Sequence, residues 1–141
     1  MDGEPFEIET DPTAQDIEFL EDRLYEHNVA RMGKDDGQVF AIFVRNARNE
    51  IVAGISGWTW AGACEIRSLW VHPELRGQAY GRRLLQAAER EAIARGCHVV
   101  SLASYSFQAP EFYQKFGYEI AFVMENFPPG HKNFYFQKQL R

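Results

Sequence analysis

The chain has 141 residues, 45% hydrophobic and 25% charged, a length that suits one domain with a single core. Its net charge of -5 argues against general nucleic-acid binding, which requires a basic face. No apolar run approaches the roughly 20 residues that cross a bilayer, and the acidic start is no signal peptide. Cys64 and Cys97 match no metal or redox spacing. The expectation is therefore one cytoplasmic domain over residues 1–141, with reduced, packed cysteines, no metal and no nucleic-acid or membrane partner.

Residues 6–9 alternate apolar and acidic side chains, as a short strand does. Asp11, Pro12 and Thr13 then offer helix-start chemistry. From Thr13 to Met32 the apolar residues Ile17, Leu20, Leu24, Val29 and Met32 recur at helical spacing, and glycines at 33 and 37 break the pattern. Residues 39–44 and 51–60 are β-rich and separated by a turn-like segment, which predicts a hairpin. Residues 65–71 form a third such run, closed by Pro73, which cannot donate to a ladder. Alternation along it places Glu65, Arg67, Leu69 and Val71 on one face.

Residues 81–95 give the clearest helix signal. Leu84, Leu85, Ala88 and Ala92 make one apolar stripe, Glu91 and Arg95 are spaced as a surface pair, and Gly96 stops the helix. Residues 99–103 read as a short buried strand and 109–116 as a short helix closed by Gly117. Two last strands, 118–124 and 133–140, flank a segment with Pro128, Pro129 and Gly130. The order β-α-β-β-β-α-β-α-β-β predicts an α/β fold with a mixed sheet.

The loop before the second helix is unusual. Arg76, Arg82 and Arg83 cluster at a helix start, where the dipole is already positive and the first amides lack partners. Between Leu75 and Arg83 there is no acid. Such a loop suits an anion of more than one charge, and Gly77 and Gly81 allow close backbone approach. The same residues also suit solvated arginines on a chain that merely turns. The loop lacks the Gly-Lys-Ser/Thr of a P-loop and the Gly-x-Gly-x-x-Gly of a dinucleotide fold.

Arg76-Gly77-Gln78-Ala79-Tyr80-Gly81 resembles the Q/R-x-x-G-x-G/A motif of the GCN5-related N-acetyltransferases (GNAT). The resemblance extends upstream over Leu69-Trp70-Val71-His72-Pro73-Glu74. It extends downstream over residues 109–118, which are similar to the family's A-x-x-x-Y-x-x-x-G-F/Y segment. It implies a GNAT-like fold, a mostly antiparallel central sheet flanked by helices. It also implies that Arg76, Gly77, Gln78, Ala79, Tyr80, Gly81 and Arg82 hold the diphosphate of acetyl-coenzyme A. Two positions depart from the pattern. Ala79 replaces the first motif glycine and is expected to keep the amide contact with a negative φ. Ser106 stands where many members carry asparagine.

The implied reaction is direct acetyl transfer from a thioester to an amine of a small molecule or peptide. The thioester oxygen must be polarised, and the family uses backbone N–H groups of the strand that here carries Leu69, Trp70 and Val71. The amine, with a pKa of about 10.4, must lose a proton. Glu65 is the candidate base; its alternative role is an ion-paired surface carboxylate. His72 precedes Pro73 in a turn and suits a capping role, and His27, His98 and His131 show no partner. Tyr113 matches the tyrosine that protonates the departing thiolate; its alternative role is packing beside Phe112 and Phe116. Trp58 and Trp60, the loop at 126–133, and Glu26, His27 and Asn28 are weaker candidates for the amine side. The resemblance also leaves open a homodimer and a second reading, an acyl-coenzyme A sensor without transfer.

Overall fold

The computed structural model describes residues 6–140. They fall into two compact units that divide between Lys34 and Asp35. The first carries one helix, α1 (Ala14–Met32). Its start satisfies itself: Asp16 N donates to Thr13 Oγ1 at 3.1 Å, and Thr13 N donates to Asp16 Oδ2 at 3.0 Å. This reciprocal capping box holds the Asp16 carboxyl below its ordinary value through the Thr13 hydrogen bonds. Gly33 ends the helix at φ 70°, its N–H bonded to Val29 O. Residues 6–9 form no strand. Alternation supplies the faces of a strand but none of its hydrogen bonds, which come only from a ladder partner.

The second unit is a six-stranded sheet with its helices between strands. In chain order it runs β1 (Gln38–Arg45), β2 (Ile51–Trp60), β3 (Ala63–Val71), a 3-10 turn (Pro73–Leu75), α2 (Tyr80–Ala94), β4 (Val99–Tyr105), α3 (Pro110–Gln114), β5 (Glu119–Glu125) and β6 (Lys132–Gln139). The spatial order is β1-β2-β3-β4-β6-β5. Every neighbouring pair is antiparallel except β3 with β4. The mixed, mostly antiparallel α/β architecture is the one expected.

The core lies on the sheet face that α2 covers. The predicted stripe Leu84, Leu85, Ala88 and Ala92 is buried there with Phe40, Ala53, Ile55, Cys64, Ile66, Val100, Leu102 and Phe136. Leu85, 1% exposed, contributes on the order of 2 kcal/mol by leaving water. Both cysteines are free and buried; burial pushes the Cys64 thiol up to about 12, so it packs as an inert thiol. Arg95 makes the expected pair with Glu91 at 2.9 Å. It is more than a surface residue, because its Nη1 also donates to Gln38 O, Val39 O and the buried Thr59 Oγ1.

β3 departs from simple alternation. Its register against β2 slips between Ser56 and Gly57, leaving Arg67 without a partner residue. Such a bulge changes which face the later side chains occupy. Cys64 and Ile66 face the core before it, and Leu69 and Val71 pack on the core after it. Glu65 and Arg67 therefore lie on the opposite face from Leu69 and Val71, not on the same one. Gly57 permits the slip: a Cβ there would strike the Glu65 carbonyl and come within 2.7 Å of the Phe40 ring.

Candidate active site

The segment after β3 is a sequence of local locks. His72 caps the 3-10 turn, its Nδ1 accepting from Glu74 N at 3.1 Å. The capping role therefore holds for His72, and the nitrogen that accepts is not available as a base. Arg76 Nε donates to Val71 O at 3.1 Å, tying the turn back to the end of β3. Gln78 Nε2 reaches Glu74 O at 3.4 Å.

The chain then passes through two left-handed residues, Gly77 at φ 79° and Ala79 at φ 68°. The expectation of a negative φ at Ala79 fails. Left-handed geometry costs an alanine about 1 kcal/mol, and it curls successive amides into a concave row that favours anions. Ala79 is the N-cap of α2, with no side-chain cap and no acid in the first turn. Among the described residues, the amides from Gly77 to Arg82 find no acceptor; the first bond is Arg83 N to Ala79 O at 3.0 Å. Nothing stands within 4 Å of where a Gly77 Cβ would be. Arg83 lies over the Tyr80 ring at 5.5 Å, and Arg82 is exposed beside it. A row of exposed, unpartnered amides backed by guanidinium groups fits a diphosphate, which would neutralise both.

Beside this turn the sheet opens. β3 and β4 pair only at Ala63 with Val99, Cys64 with Val100 and Glu65 with Ser101. Beyond that point β3 stays with β2 and β4 with β6, leaving a wedge between them. His72 N donates to Val52 O of β2. Successive strand amides point to opposite edges, so the Trp70 N–H also faces β2, while those of Leu69 and Val71 face the wedge. A chain threaded from the turn into the wedge would meet those two donors.

Tyr113 closes the third side. Pro110 sets the first turn of α3 and is buried, and Tyr113 packs against Tyr118 and Phe136 with ring centroids 6.0 and 5.7 Å away. Burial pushes its phenol up, so it stays protonated at neutral pH. Its hydroxyl has no hydrogen-bond partner among the described residues. Phe112 of the same helix sits under the start of α2; a Cβ on Gly81 would lie 3.2 Å from its ring. The turn, the wedge and Tyr113 thus share the α2 face. Tyr118 donates to Glu89 Oε2 at 2.7 Å, and Lys138 holds the same carboxylate at 3.1 Å, so α2, β6 and the segment between α3 and β5 are pinned together.

Other candidates fall elsewhere. Glu65 sits at the apex of the wedge on the opposite, exposed face, paired with Arg67 at 2.9 Å. Trp58 and Trp60 stack at 6.0 Å, with Arg67 at 5.7 Å from Trp58. Glu26, His27 and Asn28 belong to α1. Ser106 Oγ accepts from Lys132 N at 3.0 Å, bracing the loop after β4 against β6. Asn133 ends the candidate loop at 126–133, whereas sequence does not mark Tyr105 or Phe107; the β4–β6 register sets Tyr105 opposite Asn133, and no local pattern shows that pairing. Among the described residues no His, Cys, Asp and Glu cluster could hold a metal, and no helix is long and apolar enough to cross a membrane.

Comparison with known proteins agrees with this geometry. Residues 4–118 match the acetyltransferase (GNAT) family model. Over 97 residues the chain is 35% identical to blasticidin-S acetyltransferase of Streptomyces morookaense, spanning 66% of this chain and 69% of that one. It is 32% identical over 99 residues to acetyltransferase Atu2258 of Agrobacterium fabrum, spanning 70% and 72%. A crystal structure of an acetyltransferase from Bacillus cereus superposes with a TM-score of 0.80 at 31% identity, covering 94% of this chain and 97% of that one.

Proposed function

This chain belongs to the acetyltransferase (GNAT) family, whose activity depends on acetyl-coenzyme A, and from that premise we propose that it moves the acetyl group directly to a primary amine of a small molecule or peptide within one ternary complex. The observation that carries the reading is the unbroken row of unpartnered amides, Gly77 to Arg82, opening into the wedge between β3 and β4. Acetyl-coenzyme A supplies an activated thioester. The amides at the turn bind its diphosphate, with Arg82 and Arg83 balancing the charge. The Leu69 and Val71 N–H groups are placed to receive the thioester oxygen, where negative charge develops; a fixed donor of this kind is worth a few kcal/mol in the transition state.

As the amine nitrogen bonds to the carbonyl carbon, the carbon–sulfur bond breaks. The amine sheds a proton and the thiolate gains one. Tyr113, kept protonated by burial, is the donor to sulfur. Glu65 at the wedge apex is the proposed proton acceptor, reached through water. The relative that acts on blasticidin S and the acidic balance of the chain both favour a small cationic amine. The test is thiol release from acetyl-coenzyme A against a panel of amines, with blasticidin S, aminoglycosides and free-N-terminal peptides included. Amine-dependent release is expected. Bound but intact thioester across the whole panel would overturn the reading in favour of a sensor.

A further inference from the structure

The sheet face opposite Tyr113 carries a cluster that the turn and wedge do not use. Alternation along β4 buries Ser104 in the core and turns Tyr105 to the other face. Tyr105 stands directly across the ladder from Asn133 of β6. Its ring stacks on Phe107, centroids 5.1 Å apart and planes within 7°, and His131 meets Phe107 edge-on at 5.0 Å. Phe107 is 58% exposed. Trp70, exposed, stands on the same face across the wedge. Asn133 is 3% exposed, and its Oδ1 has no donor, although a buried carbonyl without a donor is costly.

In a direct transfer the two substrates meet at the wedge from opposite sides. The anion-binding turn and Tyr113 occupy the α2 face, so the acceptor must approach across this one, past Trp70 and Tyr105. The cluster contains no acid. Glu65, at the wedge apex on this face, is engaged by Arg67 at 2.9 Å, and Glu125 by Lys132 at 3.6 Å. A compact ammonium would find no unengaged counter-ion beside Phe107, whereas a flat conjugated group finds an exposed aromatic ring that already stacks in parallel with Tyr105. Resting on the transfer reading, we infer that the acceptor is an amine carried beside a flat, N–H-bearing ring, which stacks on Phe107 and donates to Asn133 Oδ1 as the Tyr105 ring turns aside. Recognition then comes from the ring, and the reacting amine is held over the wedge by its tether.

Two amines of equal charge and similar bulk separate the possibilities: 2-amino-4-(aminomethyl)pyrimidine, flat with an exocyclic NH2, and cyclohexylmethylamine. In the thiol-release assay the flat amine should show a KM lower by about ten-fold. Phe107→Ala and Asn133→Leu should each erase that advantage, with kcat within about two-fold and acetyl-coenzyme A affinity unchanged. Asn133→Leu keeps the branched shape, with somewhat more bulk, and removes an unpaired polar group; should it fail to fold, the exposed Phe107→Ala decides. Equal KM for the two amines, or a preference that survives Phe107→Ala, overturns the inference and leaves the transfer reading standing. If neither amine releases thiol while acetyl-coenzyme A binds, titration of each into the acetyl-coenzyme A-loaded protein, followed by tryptophan fluorescence, gives the answer. Tighter binding of the flat amine that Phe107→Ala abolishes supports the inference, and equal binding overturns it.

Discussion

The starts of α1 and α2 solve the same problem in opposite ways. Each must dispose of amides that have no partner within the helix. At α1, Thr13 and Asp16 exchange bonds, and an acid sits in the positive end of the dipole. At α2, the cap is a left-handed alanine, no side chain caps, and arginines stand where acids are favoured. The first is complete by itself. The second leaves its amides to water or to an anion, and a Cβ on Gly81 at that start would lie 3.2 Å from Phe112 of α3. A long helix whose start breaks the cap, charge and backbone preferences together is where a binding site is to be sought.

The largest effect should come from filling that cradle. Gly81→Trp adds an indole where even a Cβ lies 3.2 Å from Phe112, so either the amides are covered or α3 is displaced. Acetyl-coenzyme A affinity should fall about 100-fold or more, about 3 kcal/mol, by calorimetry. The corresponding damage at the other start, Thr13→Ala, should cost about 1 kcal/mol of α1 stability and leave that affinity unchanged. Equal affinities in Gly81→Trp and parent would remove the turn from coenzyme binding.

Next in size is Tyr113→Phe. It keeps the packing on Tyr118 and Phe136 and removes only the hydroxyl, so kcat should drop about 10- to 100-fold with coenzyme affinity intact. Burial raises this phenol above its ordinary value of 10.0. The proton donor is therefore present at all lower pH and is lost only as pH climbs past that value. The parent's kcat should hold to about pH 10 and then decline, and the variant should show no such decline. A falling limb below pH 9 in the parent would assign the acid to another group.

Smaller again is the graft that makes α2 start as α1 does. Ala79→Asp tolerates the left-handed backbone, and its carboxylate competes for the amides while repelling a diphosphate. Helix stability should rise by about 0.5 kcal/mol and coenzyme affinity should fall about ten-fold. The two changes must have opposite signs; a variant that gained both would show that the amides and the anion do not compete.

Much of this contrast could be read locally. The α2 stripe, the β1–β2 hairpin, the arginine cluster and the tyrosine segment each lie within one stretch of chain, where periodicity and turn chemistry speak directly. What escaped depended on partners far along the chain. The bulge at Arg67 arises because Gly57 lets β2 press against the Glu65 carbonyl, and it reverses the face assigned to Leu69 and Val71. The strand expected at residues 6–9 lacked a ladder. Arg95 showed its neighbour Glu91 but not the β1 carbonyls it reaches across the sheet. The juxtaposition of Tyr105 with Asn133 exists only in the β4–β6 register.

The smallest effect tests whether the left-handed cap is tuned or merely tolerated. Ala79 holds φ 68°, which a residue without a Cβ adopts freely. Ala79→Gly relieves about 1 kcal/mol of steric cost but gives the unfolded chain more freedom, which takes back roughly half. The net gain should be about 0.5 kcal/mol, read as a rise of about 2 °C in Tm, with coenzyme affinity unchanged because the amide row keeps its curvature. If Ala79→Gly instead weakened the coenzyme several-fold, the alanine would be rigidifying the row, holding the amides in place before the anion arrives. The strain at this cap would then be a device for affinity, and the contrast between the two helix starts would be sharper than their hydrogen bonds alone imply.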